Sequence, residues 1–98
     1  MAVYVIGQLD IHDRDEYGKY EAGFFDIFSK YEGEFLVVNE QPEVLEGEWA
    51  HTRTVVIRFP STEEAKRWWD SPEYQSLAEH RRRGSEGNII LIDGLPSS

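Results

Sequence analysis

The residues of this chain that could do acid–base or anion chemistry are three histidines, ten basic side chains and nineteen acidic ones; there is no cysteine. A neutral imidazole is the usual general base near pH 7. His12 precedes a helix start and reads as an exposed turn residue. His51 has Trp49 two positions before it and Arg53 two after. In an extended strand those three side chains share one face. An aromatic wall, a titratable group and a fixed cation there suit an anionic or aromatic small molecule, with His51 as catalytic base and Trp49 and Arg53 as binding residues. The same trio also reads as a hairpin-tip cluster packed under a loop.

Other candidates follow from strand parity. Tyr4 and Gln8 lie on one face of the first strand. A simple hairpin register sets Phe35 against Ile57 and Val37 against Val55, which places Glu34 opposite Arg58. Glu34 and Arg58 then form either a cross-strand ion pair or a polar lining for a ligand, with Tyr4 beside them or turned towards the helices. Arg81-Arg82-Arg83 is the only basic run; it reads either as a site for an anionic ligand or acidic neighbour, with Arg81 as the ligand-binding candidate, or as a helix C-terminus where cations complement the dipole. Trp68 and Trp69 point about 100° apart on a helix. One is expected on the sheet and the other at its margin.

The elements that must position these groups are legible from pattern. Ala2 to Leu9 reads as a strand, apolar almost throughout and so expected to be covered on both faces. Asp13 and Glu16 open a helix running to about Tyr31, with Tyr17, Tyr20, Phe24, Ile27 and Phe28 in one stripe. Gly18 and Gly23 lie inside it and weaken it. Phe35 to Val38 and Thr52 to Phe59 make a hairpin across an acidic loop, Gln41 to Ala50. Ser61 and Glu64 box the start of a helix through Trp69; Ser71-Pro72 restarts it up to Gly84. Ile89 to Ile92 is the last strand. The order is βαββαβ. It predicts an α+β ferredoxin-like sandwich: a four-stranded antiparallel sheet with the helices on one face, one domain over residues 1–95 and a loose tail at 96–98. The other sheet face is partly apolar, which predicts a homodimer.

Composition narrows the functions. The formal charge of −9 and pI near 4.7 disfavour nucleic acid and anionic membranes as partners. The absence of cysteine removes disulfides, thiol nucleophiles and thiolate metal sites. The histidines lack the helical i, i+4 spacing of zinc motifs, and no phosphate loop, dinucleotide fingerprint or serine elbow is present, so neither metal nor cofactor is expected. No signal peptide or membrane span is read, and the expected compartment is the cytoplasm. Such a short chain buries only about two-thirds of its unfolded surface, so its core is thin.

The run Arg53 to Ser61, with Ala65, Trp69 and Ser71-Pro72-Glu73-Tyr74, resembles the family catalogued as domain of unknown function 1330. Phe35-Leu36-Val37, Leu45-Glu46-Gly47 and Ile90 to Gly94 extend the likeness along nearly the whole chain. The resemblance implies the dimeric α/β-barrel superfamily, and hence pairing of two sheets into a barrel. It implies no reaction; the wider superfamily holds cofactor-free monooxygenases, isomerases, haem enzymes and proteins without known activity. Arg81 matches the family position among the three arginines. Two departures stand out. The family pattern has a basic residue at Glu34 and an acidic one at Arg58, so both charges are exchanged here; His80 replaces a leucine-like residue. The resulting expectation is a homodimer of unknown biochemical role that binds a small organic molecule. The alternative is a cofactor-independent monooxygenase or isomerase acting on an aromatic or lactone substrate. There His51 or Glu34 would be the base, and Arg53 or Arg58 would stabilise an enolate-like anion.

Overall fold

Strict alternation along the first strand organises the molecule. In the computed structural model, which describes residues 2–49 and 52–96, Val3, Val5, Gly7, Leu9 and Ile11 are buried while the residues between them are half-buried. One face of β1 (Val3–Ile11) therefore meets helices and the other does not. This corrects the expectation of a strand covered on both faces: a nearly continuous apolar run hides a period of two.

The remaining elements are α1 (Arg14–Phe28), β2 (Glu34–Asn39), β3 (Arg53–Phe59), α2 (Thr62–Trp69), α3 (Pro72–Gly84) and β4 (Ser85–Asp93). The sheet is antiparallel in the order β2-β3-β1-β4, the ferredoxin-like arrangement that the element order implies. The molecule is a slab, 40 × 37 × 16 Å, one sheet thick and one helical layer deep. Each helix starts where its capping residue stands. The side chains of Asp13, Ser61 and Ser71 accept from the backbone N–H of Glu16, Glu64 and Tyr74, and Pro72 opens α3.

The end of α1, the bounds of β4 and the β2–β3 register differ from the sequence expectation. α1 closes at Phe28, with Ser29 as its cap, instead of running to Tyr31. The Tyr31 ring still sits under the Arg67 guanidinium, 4.7 Å away, so its apolar spacing reflects packing after the helix has ended. β4 begins at Ser85 and runs to Asp93, because nine ladder positions pair it with β1. Its first half is polar and carries no hydrophobic signal. The β2–β3 register sets Glu34 opposite Arg58 and Phe35 opposite Ile57, but a bulge follows and Val37 pairs with Val56, Val38 with Val55. The extra residue turns Val37 onto the open face.

An aromatic cluster joins the layers. Phe59, Trp68 and Tyr74 are the largest fully buried side chains. Trp68 stacks on Phe59 with ring centroids 5.4 Å apart and lies 4.3 Å from Tyr74. Trp69 is half-buried at the margin, the division expected for two adjacent tryptophans. α1 and α3 approach closely at Gly84. Its carbonyl accepts from His12 N (3.0 Å) and Asp13 N (3.1 Å), and a Cβ there would lie 2.8 Å from the backbone N of Tyr17. Gly18, by contrast, faces open space: a Cβ there would have nothing within 4 Å. Gly84→Ala is therefore expected to destabilise the fold by about 1–3 kcal/mol, and Gly18→Ala to stabilise it by about 0.5–1 kcal/mol. Urea unfolding of the two variants checks both signs.

Candidate functional site

The helices do not fill the sheet face they cover. Between α1, α3 and the central strands lies a cleft of about 370 Å³. Its floor is Val5, Gly7 and Leu9 of β1 with Val55 and Ile57 of β3; its walls are largely aromatic, from Tyr17, Tyr20 and Phe24 to Trp68, Trp69 and Tyr74. Gly7 makes the space possible. It sits mid-strand at the helix-facing parity, between two buried apolar residues, and contributes no side chain. A Cβ there would meet only Ile89 at 3.6 Å and Val55 at 4.0 Å, ordinary contacts. Backbone geometry does not demand glycine here, so the missing side chain acts through volume.

Two arginines enter this cleft. Arg53, at the start of β3, faces the helices with its side chain 12% exposed. Its guanidinium donates to Glu21 Oε2 (3.0 Å) and Glu40 Oε2 (2.7 Å) and lies 5.2 Å from the Tyr17 ring centroid. Burial works against its charge, but the two carboxylates prevail and its pKa is raised. Glu40 also accepts from Arg14 at 2.7 Å. Those two cations, Arg14 first, hold the Glu40 carboxyl at about 2, against an ordinary 4.5. This network ties the segment after β2 to α1 at the rim of the cleft.

Arg81 is placed differently. It is 8% exposed, and its guanidinium carbon lies 5.6 Å from the Trp69 ring and 5.9 Å from the Tyr20 ring. No carboxylate pairs with it among the described residues, and its Nε has no hydrogen-bond partner. Arg82 and Arg83 instead bond at the surface, to Gln75 and Glu16. Beside Arg81, the Tyr20 and Tyr74 hydroxyls are 2.9 Å apart in the interior. Burial, then its neighbour Tyr74, raises the Tyr20 pKa well above 10, so that phenol stays neutral at physiological pH and keeps its proton to donate.

The residues singled out from the sequence thus divide. Arg53 and Arg81 share the cleft with the aromatic wall. Tyr4, Glu34 and Arg58 lie on the opposite face of the sheet: Tyr4 is paired with Arg58, and Arg58 with Glu34, in one row across three strands. Glu34 and Arg58 line a shallow depression with Ala2, Glu32 and Pro60 and do not reach the cleft. Trp49 is 40% exposed in the segment following β2. His51 lies outside the described residues. Among those described, no group of three or more acidic or histidine side chains could hold a metal. His80 faces away from the cleft; its Nδ1 is 2.9 Å from Glu16 Oε1, bridging α3 to α1. Sequence reasoning misses Gly7, Tyr20 and Tyr74 as site residues. A glycine in the middle of an apolar strand is the available signal for the first; the tyrosines are hidden in helical stripes that also make core.

With this geometry in place, a family pattern described as a domain of unknown function (DUF1330) matches residues 2–95. The chain belongs to the DUF1330 family. No curated protein matches the chain in sequence. Among solved structures, this DUF1330 chain is similar to a protein of unknown function from Rhodopseudomonas palustris (TM-score 0.78, 13% identity, 98% of this chain and 84% of that one). It is also similar to SnoaB, a cofactor-independent oxygenase from Streptomyces nogalater (TM-score 0.67, 16% identity, 98% and 95%). A third is the haem-degrading MhuD of Mycobacterium tuberculosis (TM-score 0.57, 15% identity, 98% of each chain). At these identities the likeness is one of fold.

The rim network has a pH consequence. A carboxylate whose folded pKa is depressed stabilises the fold above its unfolded pKa and loses that contribution as pH falls through the folded one. Glu40, held by Arg14 and Arg53, and Glu16, held by His80 and Arg83, both lie at about 2 against 4.5. Melting temperature is expected to fall as pH drops from 4.5 towards 2. The double variant Glu16→Gln, Glu40→Gln should melt lower at neutral pH and show a shallower acid decline, measured by scanning calorimetry against pH.

Proposed function

We propose that this DUF1330 protein is a homodimer whose subunits each bind a small organic molecule in the cleft between helices and sheet. The observation that carries the binding reading is the unfilled, aromatic-walled space over Gly7. Protein interiors are packed to crystal-like density, so a cleft of about 370 Å³ in so thin a core is a costly omission. Its volume falls in the range of ligand sites, roughly 300–1,000 Å³. Engineered cavities of about 150 Å³ hold benzene, so a bicyclic ring system with a substituent fits here.

The dimer reading is supported by the other face. Val37, Ile90 and Ile92 are 40–51% exposed there, alongside Ile6 and Val56 on the same parity. A second copy related by a two-fold axis would cover this apolar sheet with its own. No helix of the described residues is long and apolar enough to cross a membrane, and an acidic, cysteine-free chain suits the cytoplasm.

The alternative, a cofactor-independent oxygenase or isomerase, needs a base in the cleft. Among the described lining residues the carboxylate is Glu21, and it is engaged by Arg53 at 3.0 Å.

Two measurements test the reading. Gly7→Leu puts a side chain into the floor of the cleft. It is expected to weaken binding of naphthalene-sized aromatics by at least tenfold in calorimetric titration, while circular dichroism stays unchanged; equal affinity in the variant would refute the cleft. Light scattering should give twice the 11.4 kDa chain mass for the parent protein and the single-chain mass for Ile92→Lys. A monomeric parent would refute the dimer.

A further inference from the structure

The cleft holds an unusual surplus of hydrogen-bond donors. Arg53 Nε, Trp68 Nε1 and Arg81 Nε are all buried without an acceptor, and all three residues line this one cleft. The Tyr20–Tyr74 hydroxyl pair adds a fourth donor. One hydroxyl donates to the other, so the second proton has no acceptor among the described residues. Arg53 has its charge answered by Glu21 and Glu40. Arg81 does not: it is more than nine-tenths buried, its guanidinium lies against the Tyr20 and Trp69 rings, and no carboxylate pairs with it among the described residues.

Ring faces compensate a buried cation only in part. An unpaired charge out of water is strongly unfavourable unless a counter-ion completes it. The acidic residue of the cleft, Glu21, is already bonded to Arg53. The protein thus brings a cation and several neutral donors to one aromatic site, and among the described residues these donors have no acceptor paired with them.

Resting on the cleft reading, we propose that the ligand class is a planar aromatic carboxylate, its oxygens received by Arg81 with the Tyr20–Tyr74 hydroxyl pair. The ring system lies along Trp68, Trp69 and Phe24, where flat π-faces stack. The carboxylate supplies acceptors only, which suits a site whose unpaired groups are donors. Arg81 is then a binding residue, selected for charge and planar two-pronged donation, and Arg53 is a rim residue whose charge is already satisfied.

The experiment compares 2-naphthoate with its neutral shape-mimic 2-acetylnaphthalene by isothermal titration calorimetry, on the parent protein and on Arg81→Met and Arg81→Lys. The expected result is at least tenfold tighter binding of 2-naphthoate to the parent, loss of that preference in Arg81→Met, and partial retention in Arg81→Lys. A second readout needs no ligand. Replacing an unpaired buried cation by an apolar residue of similar length should raise the melting temperature of the free protein, whereas a structural arginine would leave it lower. Equal binding of both probes to parent and Arg81→Met overturns the carboxylate assignment and leaves the cleft standing. Binding of neither probe to the parent overturns both. A lower melting temperature in Arg81→Met, with the preference for 2-naphthoate kept, assigns Arg81 to the scaffold and overturns the proposal.

Discussion

A single sheet with one face committed to helices is the constraint from which everything else follows. The odd positions of β1 are buried beneath the helical layer, and the even positions are half-buried on the face that the helices leave uncovered. With three short helices to cover four strands, the helix side is closed by large rings: Phe24, Phe28, Phe59, Trp68 and Tyr74 pack edge to face, tilted or stacked, with centroids about 4–6 Å apart. Rings of this size span the sheet with few residues but do not pack to the last cubic ångström. Where the central strand also omits a side chain, at Gly7, the gap becomes a cleft instead of a scatter of small voids.

The two cleft arginines show how environment sets the role of one residue type. Both are mostly removed from water, and both lie against tyrosine rings. Arg53 stands at the strand end, within reach of acids from α1 and from the segment after β2. It forms a three-element clamp that fixes the rim. Arg81 comes from the last turn of α3, one helix over, where the neighbouring side chains are aromatic. In a chain with nineteen acidic residues, a carboxylate partner for Arg81 would be easy to supply. The acids instead lie outside, on Arg14, Lys30, Arg67 and Arg83. Such exposed pairs contribute little each, so the acidity of the chain serves its surface and, among the described residues, leaves the interior cation unmatched.

Much of the fold is legible in the sequence because local chemistry and global packing agree. The caps at Asp13, Ser61 and Ser71 are written in side chains that satisfy the first helical N–H groups, and the structure uses all three. The pairing of Glu34 with Arg58 follows from the hairpin alone. Sequence reasoning fails where the deciding contact is non-local. Ser85 to Asn88 is strand because β1 lies beside it, not because of its own residues. The bulge at Leu36 depends on how β2 crosses a twisted neighbour. The site is harder still. The parity of Tyr4 is readable, but which parity faces the helices is a property of the assembled layers. Tyr4, Glu34 and Arg58 consequently fall on the far side of the sheet from Arg53 and Arg81. The basic run suggests a solvated helix end, and for Arg82 and Arg83 that is true; one residue earlier, the same helix turns its side chain inward.

Gly7 and Arg81 are best understood together. Each weakens the fold: one removes apolar volume from the middle of the core, the other places beside it a charge with no counter-ion among the described residues. A small domain has little stability to spare. Filling Gly7 requires no backbone change, since a Cβ there meets only ordinary contacts. Neutralising Arg81 requires one nearby acid. Both remedies are a single substitution away, and both would close the same space from opposite sides, one sterically and one electrostatically. A fold that leaves both undone at one site, while capping its helices and pairing its surface charges, is what the proposed ligand reading requires. The open apolar face of the sheet supplies the complementary half of the argument. In the proposed dimer, burying it against a second copy would add apolar area at about 25 cal/mol per Å², which would work against the cost of a cleft held open for a ligand.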